Sequence, residues 1–211
     1  MKTVYFVRHG ETNGNVGGYW QGPNEPLSPV GLQQADVVAS RAKNITIDRL
    51  IASTMVRAQQ TAAAVSKLIA VPVESSDLFR EIKDPSSVIN DRPSPESDRV
   101  IQAYRQARIE HADDATYRFE DEETATEFFE RIKSALTFLR EQPEENIMVV
   151  SHGNFIRSMV GLVLQEGQYV HTDMMKFNRQ IATTNTGITV LRFENDHFRL
   201  LTYNDHAHFA E

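Results

Sequence analysis

The chain predicts an α/β fold, a three-layer α/β/α sandwich whose mixed, mostly parallel sheet lies between helices. Three observations lead there. Short apolar, β-branched runs alternate with longer stretches of helical periodicity. Two of these runs, Val4-Tyr5-Phe6-Val7 and Ile147-Met148-Val149-Val150, stop in the same way, at Arg8-His9-Gly10 and at Ser151-His152-Gly153. Two more runs, at 187–194 and 197–203, are close enough to pair as an antiparallel hairpin at the sheet edge.

The elements follow in order. Residues 4–7 read as a buried strand. Residues 13–27, with four glycines and two prolines, read as one long loop over its end. Ser28-Pro29 is an N-cap followed by proline, and a helix runs from there to about Ala42. Residues 50–52 form a short strand, and Ser53-Thr54 is positioned to cap the next helix, where Ala58, Thr61, Ala62, Val65 and Leu68 recur at helical spacing. A third short strand is expected at 71–73. From about 81 to 122 the chain turns polar and proline-punctuated, with a helix over 96–111. This stretch reads as a partly helical insertion capping the active edge of a single domain spanning 1–211. A helix at 123–141, the strand ending at Ser151 and a helix at 154–164 lead into the terminal hairpin.

Composition bounds the function. The 211 residues carry a net charge of −7, whereas nucleic acids and anionic membranes reward a basic surface, so neither is expected as a partner. The absence of cysteine excludes disulfides, thiolate metal sites and a cysteine nucleophile. The apolar run after Lys2 is too short for a secretory core of roughly 7–15 residues, and no run approaches the ~20 of a membrane span. A cytoplasmic protein is expected. Oligomeric state is not readable.

The chemistry lies in the two strand-end histidines. Ligands of open α/β sheets bind outside the carboxyl ends of the strands. A neutral imidazole, His9, is a competent nucleophile toward phosphorus, and the adjacent Arg8 can neutralise phosphoryl oxygens. Arg57 lies one turn into a helix that follows a strand end, so it reaches the same rim; by itself it reads equally as an exposed helix arginine. His152 alone would read as a hydrogen-bonded structural histidine, but its setting matches that of His9. Arg157 reads as an ion-pair partner on its helix. The acidic stretch 120–123 reads as the solvated start of a helix, where acids suit the dipole. His197, His206 and His208 match no trusted ligand spacing and read as surface residues, so no metal is expected.

Arg8-His9-Gly10-Glu11-Thr12, Asn15, Gln21-Gly22, Pro26-Leu27-Ser28 with Gly31 and Gln34-Ala35, the stretch 53–62 and the stretch 149–157 occur in the order of a known family. Together they resemble the histidine phosphatase superfamily, also called phosphoglycerate mutase-like. The resemblance implies that His9 accepts the phosphoryl group, that Arg8, Arg57 and His152 hold its oxygens, and that Asn15 adds a contact. It also implies substrate contacts near Gln21 and Gly22 and at the backbone of Gly153-Asn154. A carboxyl must protonate the leaving oxygen and later activate water; Glu81 is the best match and Asp84 the second. Two departures stand out. Asn154 occupies a position where many relatives have a second glycine, and Trp20 precedes Gln21 where relatives often carry arginine.

The expected function is a cofactor-independent phosphomonoesterase acting on a small phosphorylated substrate, a phosphoprotein being an open alternative. Its rivals are a phosphoglycerate mutase and a non-catalytic phosphate-binding or protein-interaction module. Lys83, Arg92, Arg99, Arg105 and Arg108 of the insertion are candidates to grip a second anionic group.

Overall fold

The computed structural model describes residues 1–89, 95–168 and 170–209, with the side chains of residues 95, 96 and 174 left out. Strand β1 (Lys2–Arg8) is followed by helices α1 (Asn13–Gly17) and α2 (Pro29–Ala42), strand β2 (Arg49–Ser53), helix α3 (Val56–Ile69) and strand β3 (Val73–Ser76). Helices α4 (Pro95–Glu110) and α5 (Ala125–Glu141) precede strand β4 (Asn146–Ser151) and helices α6 (Gly153–Leu164) and α7 (His171–Gln180). Strands β5 (Ile188–Glu194) and β6 (His197–Asp205) end the sheet.

The sheet order is β3-β2-β4-β1-β5-β6. The pairs β1–β4, β2–β4 and β2–β3 are parallel, and β5 runs antiparallel to both β1 and β6. The mixed sheet with its terminal hairpin is therefore the expected one. Alternation along the strands feeds two cores. Val4, Phe6, Ile51, Ile147 and Val149 meet Phe128, Ile132 and Leu139 of α5 and Phe155, Ile156 and Met159 of α6. Val7, Leu50, Ala52, Met148 and Val150 meet Val38 and Ala42 of α2 and Ala58, Ala62 and Val65 of α3. Because both faces are covered, the central strands are apolar throughout rather than alternating.

Several boundaries differ from expectation. Residues 13–17 are helical, because Thr12 and Asn15 form a reciprocal capping box; Gly18, at φ 67°, ends the turn in the left-handed region. The third strand starts at Val73, not at 71. Ala70 closes α3 in the left-handed region, and Pro72 has no N–H to give a ladder. Helix α3 is not capped by Ser53 or Thr54: its N-cap is Met55, without a side-chain cap, and Val56 N–H donates to the Pro23 carbonyl at 3.0 Å. Helix α7 was not expected, since its few apolar residues, among them Phe177 against the first core, sit in a mostly polar stretch. The expected helices of the 81–122 stretch and of 123–141 appear with shifts of one or two residues, the second starting from a Thr124–Glu127 capping box. Among the described residues, 81–122 adds no strand to the sheet, and no helix is long and apolar enough to cross a membrane.

Candidate active site

The parallel register pairs Arg8 with Ser151, so the next residues, His9 and His152, emerge side by side. His9 N–H extends the ladder to the Ser151 carbonyl at 3.0 Å, and the two imidazole centroids are 5.1 Å apart. Gly10 is required here by close approach: a Cβ would lie 2.5 Å from the Gly31 carbonyl oxygen in α2.

Hydrogen bonds fix both imidazoles. His9 Nδ1 lies 2.7 Å from the Gly10 carbonyl, which can only accept, so Nδ1 carries the proton. His9 Nε2 is then a lone pair, and it accepts from Arg57 Nε at 3.2 Å. Ser53 Oγ accepts from Met55 N–H at 3.3 Å and lies 2.8 Å from His152 Nε2. His152 Nδ1 is buried without a partner among the described residues. Burial first, then Arg57 and Arg8, hold His9 well below the ordinary histidine value; burial, Arg57, His9 and Arg8 do the same to His152. Both rings are neutral near pH 7.

The guanidiniums are buried around them. Arg57 is 3 % exposed, and its Nη1 donates to the Gly22 carbonyl at 2.9 Å. Burial brings it down to about 10, against the opposing pull of Glu81 and Glu25. Arg8 donates through Nη1 to the Thr183 carbonyl, while its Nε is buried and unpartnered among the described residues. The site therefore holds more positive charge than its nearest carboxyl balances, as an anion-binding site does.

That carboxyl is Glu81. Its oxygens accept from the N–H groups of Asn154 at 2.9 Å and Phe155 at 3.0 Å, in the first turn of α6. Arg131 fastens the segment that carries it, donating to the carbonyls of Leu78, Arg80 and Glu81 at 3.2, 2.7 and 3.3 Å while paired with Glu123 at 2.6 Å. Asp84 is nearby, and burial followed by the Glu81 charge pushes it up to about 6.

These groups open on a cavity of about 580 Å³. Arg8, His9, Arg57, Glu81, Asn15, Gln21, Gly153 and Asn154 all line it. Gly22 and His152 do not: the Gly22 carbonyl holds Arg57, and the His152 ring is fully buried behind His9 and Ser53. Asn15 Oδ1 accepts from Thr12 N–H at 3.1 Å and Asn185 Nδ2 at 3.2 Å, which turns its own Nδ2 donors away from those partners. Helix α7 closes another side with Met175, Asn178 and Arg179.

Three readings of the sequence are corrected, and one is narrowed. Arg157 has no ion pair among the described residues; it donates to Asn154 Oδ1 and lines the cavity. The 120–123 acids are not merely solvated: Glu122 is buried against the Tyr104 hydroxyl and Phe119 N–H, Glu123 pairs with Arg131, and Asp121 with Lys83. His208 is buried, with Nε2 3.2 Å from Thr186 Oγ1. Of the insertion's basic residues, only Arg108 lines the cavity; Lys83 is paired, Arg105 lies over Trp20, and Arg92 falls outside the described residues.

Sequence reasoning missed the supporting residues. Asn185 Nδ2 reaches the His9 carbonyl at 3.0 Å as well as Asn15. Ser53 Oγ bonds His152 Nε2, and Arg131 holds the segment that carries Glu81. Thr61 Oγ1 accepts from Gly10 N–H at 3.1 Å; Thr61 and Ser53 both lay in the 53–62 stretch already singled out, though not for these contacts.

Comparison with known proteins finds relatives in sequence and in fold. A "Probable phosphoglycerate mutase GpmB" from Yersinia pestis is 30% identical over 166 residues, covering 78% of this chain and 75% of the relative. The alpha-ribazole phosphatase from Shigella flexneri superposes with a TM-score of 0.79 at 20% identity, covering 96% of each chain. A mycobacterial glucosyl-3-phosphoglycerate phosphatase superposes with a TM-score of 0.77 at 21% identity, covering 97% of this chain and 99% of that one. At these identities the two structures speak for a shared fold. The family model of the histidine phosphatase superfamily (branch 1) matches residues 4–206, and with nearly the whole length matched, the chain belongs to that superfamily.

Proposed function

We propose that the protein is a phosphomonoesterase that works through a phosphohistidine on His9 and uses no cofactor. One observation carries this reading: the His9 Nδ1 proton is tied to the Gly10 carbonyl, leaving a neutral Nε2 lone pair among guanidiniums. In the first step Nε2 attacks phosphorus and the bond to the ester oxygen breaks, while Glu81 gives that oxygen a proton. Arg8, Arg57 and His152 take the charge on the equatorial oxygens, with Asn15 as a further donor. In the second step water attacks phosphorus, Glu81 takes its proton, and His9 leaves as the neutral imidazole. In this reading residues 81–122 cap one domain spanning 1–211, and the substrate is a small cytoplasmic phosphate ester.

A second reading is favoured by the 30%-identical relative named a probable phosphoglycerate mutase. A mutase returns the phosphoryl group to substrate instead of to water. Assaying phosphate release over a panel of phosphomonoesters, beside isomerisation of 3-phosphoglycerate, separates the two, with His9→Ala as the blank. Phosphate release that disappears in the variant supports the phosphatase. Isomerisation without release supports the mutase, and turnover surviving His9→Ala sinks both. EDTA should leave the rate unchanged, and a loss reversed by added metal would contradict the metal-free scheme.

A further inference from the structure

Among the carboxyls that line the cavity besides Glu81, Asp84 is one that this scheme leaves without a task. It lies beside Glu81, within electrostatic reach of Arg57. Its single hydrogen bond among the described residues comes from the Tyr104 hydroxyl at 3.2 Å. That hydroxyl has one proton to give. Glu122 Oε2 is the nearer acceptor at 2.9 Å, and Arg108 Nη1 donates to the same oxygen at 2.9 Å. The proton therefore goes to Glu122, and Asp84 faces the cavity with acceptor capacity but no dedicated donor. Burial and then the Glu81 charge push it up to about 6.

Trp20 adjoins the same cluster. Its ring meets Tyr104 edge-on at 5.8 Å between centroids, the Arg105 guanidinium lies 5.6 Å from its centroid, and the residue lines the cavity. The guanidiniums of Arg105 and Arg108 are engaged on Trp20 and on Tyr104, and an indole suits the C–H face of a ring. A carboxylate beside it suits that ring's hydroxyls.

Building on the phosphatase reading, we propose that Asp84 and Trp20 form the subsite for the leaving alcohol, and that this alcohol is a sugar or another cyclic polyol. The ring lies against the indole and a hydroxyl donates to Asp84, while the phosphoryl group sits on His9. A plain alkyl ester would bury the carboxyl without a donor, so it is discriminated against.

Trp20 is the only tryptophan of the chain, so intrinsic fluorescence reports on the subsite directly. The His9→Ala protein, which cannot form the covalent intermediate, is titrated with glucose 6-phosphate, cyclohexylmethyl phosphate and phosphoethanolamine. The first two are primary esters of similar size that differ in their hydroxyls. The proposal expects a saturable change with a Kd for glucose 6-phosphate about tenfold or more below that for cyclohexylmethyl phosphate. Asp84→Ala should bring the two within about twofold, as expected once the charged acceptor is gone. Tyr104→Phe, which removes only a hydroxyl, should preserve the discrimination and so controls for disruption of the cluster. Equal affinity for the two esters, discrimination that survives Asp84→Ala, or tightest binding of phosphoethanolamine would each overturn the proposal. Discrimination without phosphate release by the wild-type protein would instead keep the subsite and sink the phosphatase reading.

Discussion

The floor and the roof of the cavity are built by different means. The floor consists of strand ends: His9 and His152 follow β1 and β4, which are locked in register by backbone hydrogen bonds, and Arg57 follows β2 as the second residue of α3. Its groups are buried, and each is oriented by a short bond to the backbone or to a neighbouring side chain. The roof, from 81–122 and α7, is held by side chains: Tyr104 with Glu122 and Arg108, Lys83 with Asp121, and the stacked His111–Tyr117 pair with centroids 3.7 Å apart. A backbone-fixed floor preserves one reaction geometry while a side-chain roof can be rewritten. In the proposed reaction the floor holds the phosphoryl group, and the roof supplies the two carboxyls Glu81 and Asp84 on the side of the alcohol.

That division can be broken most sharply at the floor. His9→Ala should lower kcat by about a thousandfold or more on every ester, because the covalent route is lost. Arg57→Ala should cost about 10²–10³-fold, the effect of removing a charge-stabilising donor. A floor substitution that changed the ranking of substrates rather than the common rate would break the distinction. Asn185→Ala, which frees both the His9 carbonyl and Asn15 from one amide, should cost about ten- to a hundredfold in kcat/KM through misplacement alone. Asn185→Asp, keeping one acceptor but losing the donor, should not rescue it.

The next test concerns how the roof is fastened. Arg131→Met should destabilise the protein by about 2–3 kcal/mol in urea unfolding, since it removes a charged donor from several carbonyls at once. It should also lower kcat on poor leaving groups more than on p-nitrophenyl phosphate, whose departure needs little help from Glu81. Equal loss on both would detach Arg131 from the acid's placement.

The smallest effect is the pH response. The folded values of His9 and His152 lie below that of unfolded histidine. Between the two values the unfolded chain binds more protons, so the stability these groups contribute is present above about 6.5 and is lost as pH falls. Asp84, raised to about 6, acts with the opposite sign over the interval between its unfolded value and 6. Stability in urea should therefore fall as pH drops from 7 toward 6, and His152→Asn should reduce that slope by about half. An unchanged slope would contradict the buried neutral pair.

The same contrast explains what could be read from the sequence. Strand ends are announced by local apolar runs, so Arg8, His9 and His152 were visible, and the order of motifs added Arg57, Asn15 and Glu81. Asn185 was not: it lies 176 residues from His9, in a polar loop with no periodicity. Glu122 looked like an ordinary solvated acid and Asp84 like a second choice for the catalytic carboxyl, because nothing local reveals that Tyr104 reaches both. Helix α7 escaped for a related reason, since a mostly polar segment gives no apolar stripe. Residues 13–17 escaped because Thr12 and Asn15 cap a turn too short to show a period.

The covalent step is the centre of the account, and it can be observed directly. The wild-type protein, mixed with a turned-over phosphomonoester and quenched at alkaline pH, where phosphohistidine survives, should yield a peptide carrying one phosphoryl group on His9. The His9→Ala protein should yield none. A phosphoryl group on His152, or none on any residue while the ester is being consumed, would contradict it.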